Sequence, residues 1–273
     1  MKQIQQIFFL LIAVLVFTAC DREPPIPEVG SVKIEFSPNV NGDIFGGSEV
    51  YTSPEGRDYR IDFFRMYVSE IILIKEDGSE VLLSDVNLFD IANGGPAKRI
   101  KHGFTAYKVY QDVEPGSYKG IKFGIGIPDR LNTDPASYAV DHPLSIGNQM
   151  YWSWRAGYRF ISIEGKVDST QAMDGVALGQ SFGYHIGKDS VNSPNVVYQE
   201  LSFDGPDDAF TVAVNEEAHI EFEIDVNQIF FSTNDPIDLV NEAVSHSVPG
   251  DQFDLALRVS KNLVEQALTK KPF

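Results

Sequence analysis

The chain has 273 residues, with 39 acidic against 22 basic side chains, a formal net charge of −17 and a single cysteine. A surface this acidic repels nucleic acid and anionic lipid headgroups, so no nucleic-acid partner is expected. One cysteine excludes an intramolecular disulfide, while the length allows one large β domain or two small ones.

The N-terminus has the order of a secretory signal peptide: a basic start, a short apolar core and small residues before Cys20. The apolar core is shorter than the ~20 residues that span a bilayer. Phe17-Thr18-Ala19-Cys20 resembles the lipobox of bacterial lipoproteins, in which the cysteine thiol is modified by lipid. The alternative is cleavage by an ordinary signal peptidase beside a cysteine that carries no lipid. We predict a signal peptide over 1–19, a lipidated tether over 20–30 and a β domain over 31–273, in the cell envelope as a periplasmic or surface-exposed lipoprotein.

Apolar and polar residues alternate at period two in many short stretches, most clearly in 31–36, 118–125 and 219–224. This alternation is typical of half-buried antiparallel strands. The run over 59–74 is longer and predicts a strand that continues past a bend. Asp77-Gly78 then predicts a hairpin turn before the next strand. The sequence therefore predicts an all-β fold, an antiparallel β-sandwich or open barrel.

A helical period is found only at the C-terminus, and no helix is predicted before residue 235. Asp251 follows Pro249-Gly250 and is predicted to cap this helix. The residues predicted to share its apolar face are Phe253, Leu257, Ser260, Val264 and Leu268. The complete prediction is a β-sandwich or open barrel with one C-terminal helix packed on it.

One short motif suggests an enzyme. Gly179-Gln180-Ser181-Phe182-Gly183 matches the G-x-S-x-G nucleophile elbow, which requires a sharp strand-to-helix turn above a parallel sheet. The flanking residues are strand-like and no alternation of strands and helices surrounds them. No pair of nucleophile and base survives inspection elsewhere, so the chain is predicted not to be an enzyme.

Two kinds of side chain are candidates for a binding site. The five histidines form no H-x-H or H-x-x-x-H pair, so the fold must assemble any metal site. Among them, His185 lies in an aromatic stretch bounded by glycines, 182–187. Trp152 and Trp154 are spaced to share one face of a strand, either as a core aromatic ladder or as an electron-rich redox or soft-metal site.

The tryptophan segment carries a family resemblance. The segments 150–154, 157–160 and 163–165, which read MYWSW, GYRF and IEG, resemble the signature of MbnP-like proteins. These are periplasmic copper-binding proteins associated with methanobactin and copper uptake. The likeness covers residues 31–268 and implies a β-rich, cupredoxin-like or sandwich domain that binds copper and is not an enzyme.

The resemblance also implies a site. In characterised relatives a partner di-haem enzyme of the cytochrome c peroxidase type oxidises a tryptophan to kynurenine, which holds copper together with histidines. Carried over by position, His185 and His246 are the candidate copper ligands, and Trp152 or Trp154 is the candidate modified residue. The first strand reads Phe36-Ser37-Pro38-Asn39 where some relatives place a further histidine.

Two functions remain open at this point. The first is a membrane-tethered, extracytoplasmic copper-binding protein in metal acquisition or handling. The alternative is a metal-free surface lipoprotein that binds a protein or glycan partner through its β domain. The copper hypothesis requires His185, His246 and one tryptophan ring to converge within a few ångströms, and the alternative does not.

Overall fold

The computed structural model describes residues 28–46, 49–93, 106–133, 138–152, 157–170, 172–174, 178–190 and 192–273. The predicted signal peptide, Cys20 and Trp154 lie outside these ranges. Within them, no helix combines the length and the apolar character that crossing a membrane requires.

The described part of the chain is mostly β-structure, as the period-two patterns predict. The strands in chain order are β1 (Gly30–Val40), β2 (Asp43–Ile44), β3 (Tyr51–Thr52), β4 (Asp58–Lys75), β5 (Glu80–Asn93), β6 (Ala106–Val113), β7 (Gly116–Ile125), β8 (Tyr151–Trp152), β9 (Gly157–Tyr158), β10 (Ile161–Val167), β11 (Gln180–Ile186), β12 (Gln199–Phe203), β13 (Phe210–Val212), β14 (Glu217–Asp225), β15 (Val244–Ser245) and β16 (Leu268–Lys270). The helices are α1 (Val226–Phe231) and α2 (Asp251–Asn262), the latter continued by a π-helical turn over Leu263–Ala267.

The strands form two large sheets and a small ribbon. Sheet A has the order β16-β14-β1-β2, with β6 also paired to β1. Sheet B has the order β12-β7-β4-β10-β11-β15, with β13 paired to β7 and both β3 and β5 paired to β4. Strands β8 and β9 form the ribbon.

Aromatic side chains join the inner faces of the two sheets. Alternate residues of β1, among them Val32, Ile34 and Phe36, are buried. The ring of Phe36 stacks on Phe222 of the same sheet, with 5.3 Å between centroids. It also meets the edge of Phe123 from sheet B at 6.1 Å. Because each ring removes a large apolar area from water, this contact fixes the sheets face to face.

The fold class is confirmed: the protein is all-β with one C-terminal helix. Two strand pairs in the described residues depart from the antiparallel expectation, since β1 with β14 and β11 with β15 run parallel. A period-two pattern reports which face of a strand is buried and carries no information about the direction of its neighbour.

The long strand β4 and its hairpin match the prediction. Gly78 has a φ of +85° at the turn, which glycine adopts without strain. The predicted bend falls at Glu70, which has a φ of +53° where the pairing of β4 with β7 shifts register. The Glu70 carboxylate accepts hydrogen bonds from Tyr198 at 2.7 Å and from Arg130 at 3.0 Å, so side chains from two loops hold the bulge in place.

The C-terminal helix differs from its prediction in two details. Asp251 is its first residue, while the N-cap is Gly250, which makes no side-chain cap. The deeply buried residues are Leu255, Ala256, Val259, Ser260, Asn262, Leu263 and Ala267. Of the predicted face, Ser260 and Leu268 are buried, while Phe253, Leu257 and Val264 are only half-buried. The π-helical turn ends the helix, so Leu268 belongs to β16.

One helix was not predicted. Helix α1 follows β14 directly and has six residues, too few to show a helical period in the sequence. Its local signal is the N-cap residue Asp225, whose carboxylate accepts a hydrogen bond from the backbone N–H of Asn227 at 3.0 Å.

Candidate metal centre

The outer face of sheet B, which points away from sheet A, carries a polar row. Ile161 and Ile163 of β10 are buried in the core, so Ser162 between them faces outward. Ser162 pairs with Arg65 on β4 and with His185 on β11. Paired residues present their side chains on the same face of a sheet. The row therefore leads across three strands to His185.

The parallel pairing of β11 with β15 extends this row to a second histidine. Ser245 lies opposite Tyr184, which makes His246 the neighbour of His185. The two imidazole rings meet edge to face, with 4.9 Å between centroids and 72° between planes. The fold thus brings together the two histidines that the family resemblance singles out.

Ser247 ties the two histidine-bearing segments together. Its hydroxyl accepts a hydrogen bond from the backbone N–H of Gly187 at 3.0 Å and donates one to the carbonyl of His185 at 3.1 Å. These bonds hold the end of β15 against the end of β11, so the Ser247 hydroxyl helps to set the relative position of the two imidazoles.

Residues 138–152 run across this face and shield it from water; we call them the covering segment. Arg65 donates from Nη1 to the carbonyl of Asn148 at 3.1 Å, and the Tyr67 hydroxyl donates to the carbonyl of Pro143 at 2.9 Å. As a result, Ser162 is completely buried although it lies on the outer side of the sheet.

Trp152 is the last residue of the covering segment and packs beside Gly187. A Cβ atom at Gly187 would be only 2.7 Å from Cζ3 of Trp152, so the indole occupies the space next to this glycine, two residues beyond His185. The Arg159 guanidinium lies over the indole, 5.8 Å from its centroid, in cation–π geometry.

Glu164 links these groups electrostatically. Its Oε1 lies 2.7 Å from Nε2 of His185, and this hydrogen bond is the main reason that the pKa of Glu164 is below its usual 4.5. Burial opposes the shift, while the charges of Arg159 and His246 add to it. For Arg159 itself, burial lowers the pKa of the guanidinium and the Glu164 carboxylate raises it.

Several polar atoms of this region are buried without a hydrogen bond to any described residue. They are Nδ1 of His185, Nε of Arg159 and Oγ of Ser162. Buried polar atoms normally have partners, so such atoms concentrated at one place indicate a site rather than ordinary core. The imidazole nitrogen is the one among them that metals bind.

The arrangement fits a copper ion held by two imidazoles, because imidazole is a good donor for copper. His185 and His246 would hold the ion, and Nδ1 of His185 is a donor atom already withdrawn from water. Among the described residues, no three or more His, Cys, Asp or Glu side chains are grouped as a metal site.

The remaining histidines of the described chain lie elsewhere. His142, in the covering segment, stacks on Tyr138 and accepts a hydrogen bond from the backbone of Leu144 through Nδ1. His219 lies on sheet A and contacts Glu35. Ser181 of the G-x-S-x-G match is an exposed residue inside β11, with no strand-to-helix turn beside it.

Sequence reasoning assigned no role to Glu164 or Arg159. Period-two spacing places Glu164 on the same face of β10 as Ser162. It does not reveal that β11 is the neighbouring strand, which is what sets Glu164 within reach of His185. For Arg159 the only sequence signal is its place in the GYRF segment.

Comparisons with known proteins identify the family of the chain. The family model for MbnP matches residues 29–248. Among solved structures the chain is similar to MbnP from Methylosinus trichosporium, at 18% identity and a TM-score of 0.53, over 75% of this chain and 78% of that chain, which is a likeness of fold. No curated protein matches. The family model covers most of the chain, and the resemblance of the tryptophan segment is thereby confirmed: the chain belongs to the MbnP family.

Proposed function

We propose that this protein binds copper outside the cytoplasm and serves metal acquisition or handling, not catalysis. The observation that carries the proposal is the meeting of the His185 and His246 rings at 4.9 Å on the outer face of sheet B, with the Trp152 indole beside Gly187. Membership of the MbnP family supports copper over other metals.

The direct test is a Cu(I) competition titration of the wild type against a chromophoric chelator. We expect His185→Ala to lower Cu(I) affinity by about 100-fold or more, because loss of an outer hydrogen-bond partner alone costs 10–100-fold. His219→Ala is the matched control, since it removes a histidine–glutamate contact from the other sheet. Equal, weak binding by all three proteins would refute the proposal and favour the metal-free lipoprotein with a protein or glycan partner.

We propose further that Trp152 is oxidised to kynurenine by a di-haem partner enzyme of the cytochrome c peroxidase type. The closeness of its indole to Gly187, two residues beyond His185, supports Trp152, while Trp154 remains the alternative. Peptide mass spectrometry of protein isolated from its native cells tests this step. Intact indoles at both positions would exclude the modification and leave the two histidines alone as the site.

The tether is the last part of the proposal. We expect a lipid on Cys20 to anchor the domain in the cell envelope, at the periplasmic or outer surface. In the native cells, wild-type protein should sediment with membranes and Cys20→Ser should be released into the soluble fraction. Membrane association of Cys20→Ser equal to that of the wild type would contradict lipid anchoring.

A further inference from the structure

The contact between His185 and Glu164 fixes where the imidazole carries its hydrogen. Oε1 of Glu164 lies 2.7 Å from Nε2 of His185. A carboxylate only accepts hydrogen bonds, so Nε2 must be the protonated nitrogen of the pair. In a neutral imidazole the other nitrogen, Nδ1, then carries the lone pair.

Nδ1 of His185 is the atom left available by this arrangement. It is buried and has no hydrogen-bond partner among the described residues. A lone pair kept away from water and from protein donors is rare in a folded protein. The neighbouring ring belongs to His246, which supplies a second nitrogen donor on the same face of the sheet.

Glu164 is better suited to position His185 than to bind metal itself. About half of its side chain is exposed, whereas that of His185 is largely buried. Its charge is balanced from several sides, because Arg159 and His246 both act on it electrostatically. A carboxylate oxygen is also a harder donor than imidazole and is less favoured by copper.

We infer that Glu164 is a positioning residue that holds His185 as its Nε2–H tautomer and so presents Nδ1 as the metal-binding atom. The identity of that atom as the copper ligand rests on the proposed function. The assignment of the tautomer does not rest on the proposed function, since it follows from the contact between Glu164 and His185 in the metal-free protein.

Long-range proton–nitrogen NMR on the metal-free full chain tests the tautomer, because protonated and unprotonated ring nitrogens have well-separated nitrogen shifts. We expect His185 to show a protonated Nε2 and a bare Nδ1. Glu164→Ala should return the ring to a mixture of tautomers. Glu164→Gln keeps an oxygen acceptor and should retain the Nε2–H form. Glu35→Ala removes the equivalent acceptor from His219 and should leave His185 unchanged.

Titration with Cu(I), which is diamagnetic, tests the ligand atom in the same spectra. We expect the Nδ1 resonance of His185 to move while Nε2 keeps its proton, and Glu164→Ala to lower Cu(I) affinity about 10–100-fold. An Nδ1–H tautomer in the wild type would overturn the inference. So would a folded Glu164→Ala variant whose His185 tautomer and Cu(I) affinity equal those of the wild type. Loss of the Nε2 proton on Cu(I) binding would overturn the assignment of the ligand atom.

The two proposals fail in different ways. If the wild type shows the Nε2–H tautomer but binds no Cu(I), the proposed function and the copper assignment of Nδ1 fall, while the positioning role of Glu164 stands. If the wild type binds Cu(I) through Nε2, the proposed function stands and the inference falls.

Discussion

Two histidine–glutamate contacts of almost equal length lie on the outer faces of the two sheets. On sheet B, His185 meets Glu164 at 2.7 Å, and on sheet A, His219 meets Glu35 at 2.8 Å. Their burial is reversed. The His185 side chain is 14% exposed against 46% for Glu164, whereas His219 is 44% exposed against 12% for Glu35.

This reversal separates a surface contact from a candidate site. On sheet A the buried partner is the carboxylate, which Lys33 also contacts, and the imidazole faces water. On sheet B the buried partner is the imidazole, and its second nitrogen has no partner among the described residues. The same pair of residue types therefore leaves the imidazole exposed to water in one place and buried in the other.

The largest expected difference is in stabilisation by metal. Cu(I) at about 1,000 times its dissociation constant should raise the free energy of unfolding of the wild type by about 4 kcal/mol, through mass action on the folded state. His246→Ala should lose nearly all of this gain, and His219→Ala should keep it. Chemical denaturation with and without Cu(I) measures the effect. An equal gain in both variants would place the metal away from the paired imidazoles.

The next largest expected effect is a difference in stability between alanine substitutions at two glycines near the candidate site, Gly187 and Gly183. A Cβ atom at Gly187 would lie 2.6 Å from the carbonyl oxygen of Tyr158 and 2.7 Å from Trp152, so Gly187→Ala should destabilise the protein by about 3 kcal/mol. At Gly183, on β11, the nearest atom is Cγ of Glu164 at 3.9 Å, and Gly183→Ala should be tolerated. Urea unfolding followed by tryptophan fluorescence compares the two. Equal stability would mean that Trp152 does not pack against Gly187.

A smaller effect tests whether the buried imidazole costs stability in the metal-free protein. His185→Leu removes a buried nitrogen that lacks a partner among the described residues and leaves Glu164 in contact with water, so we expect the free energy of unfolding to rise by about 1 kcal/mol. His219→Leu should change it by less than about 0.5 kcal/mol, as a surface substitution. Urea unfolding of the metal-free variants measures both changes in the free energy of unfolding. Marked destabilisation by His185→Leu would show that His185 has a structural role.

The smallest effect concerns pH and the contact on sheet A. Burial alone would raise the pKa of Glu35, but hydrogen bonds and charges from Lys33 and His219 outweigh it and hold that pKa below 4.5. A lowered pKa in the folded state contributes stability above pH 4.5 that is lost as the pH falls through the folded value. Glu35→Gln should therefore reduce acid sensitivity, by about 0.5 kcal/mol. Glu265→Gln, which removes an exposed carboxylate, controls for net charge. An equal change in acid sensitivity in Glu35→Gln and Glu265→Gln, measured by urea unfolding at several pH values, would contradict a role of the contact between Glu35 and His219.

The sequence predicted local structure well, because local structure depends on neighbouring residues. The alternation over 31–36 and 219–224 predicted β1 and β14, and Asp77-Gly78 predicted the hairpin between β4 and β5. The two parallel pairs, β1 with β14 and β11 with β15, were not predicted. Helix α1 was not predicted either, since a six-residue helix leaves almost no periodic signal.

The candidate site depended on a different kind of information. The family resemblance singled out His185, His246 and the tryptophan segment, and no period or spacing in the sequence connects these residues. Their proximity arises from the register of β11 against β15 and from the space beside Gly187. Glu164 was missed for the same reason, because its partner lies on a strand whose position only the folded sheet determines.

The parallel pairing of β11 with β15 also bears on when a site can exist. Strand β15 reaches β11 only after the chain has passed through β12, β13, β14 and α1, which span both sheets. During synthesis and folding, His185 and His246 are thus two distant side chains with no common ligand geometry. They become neighbours only when β15 docks on β11, which closes a long loop of the chain. A chain that ends before β15 therefore lacks the paired imidazoles, and the proposed metal capture through them requires the completed domain.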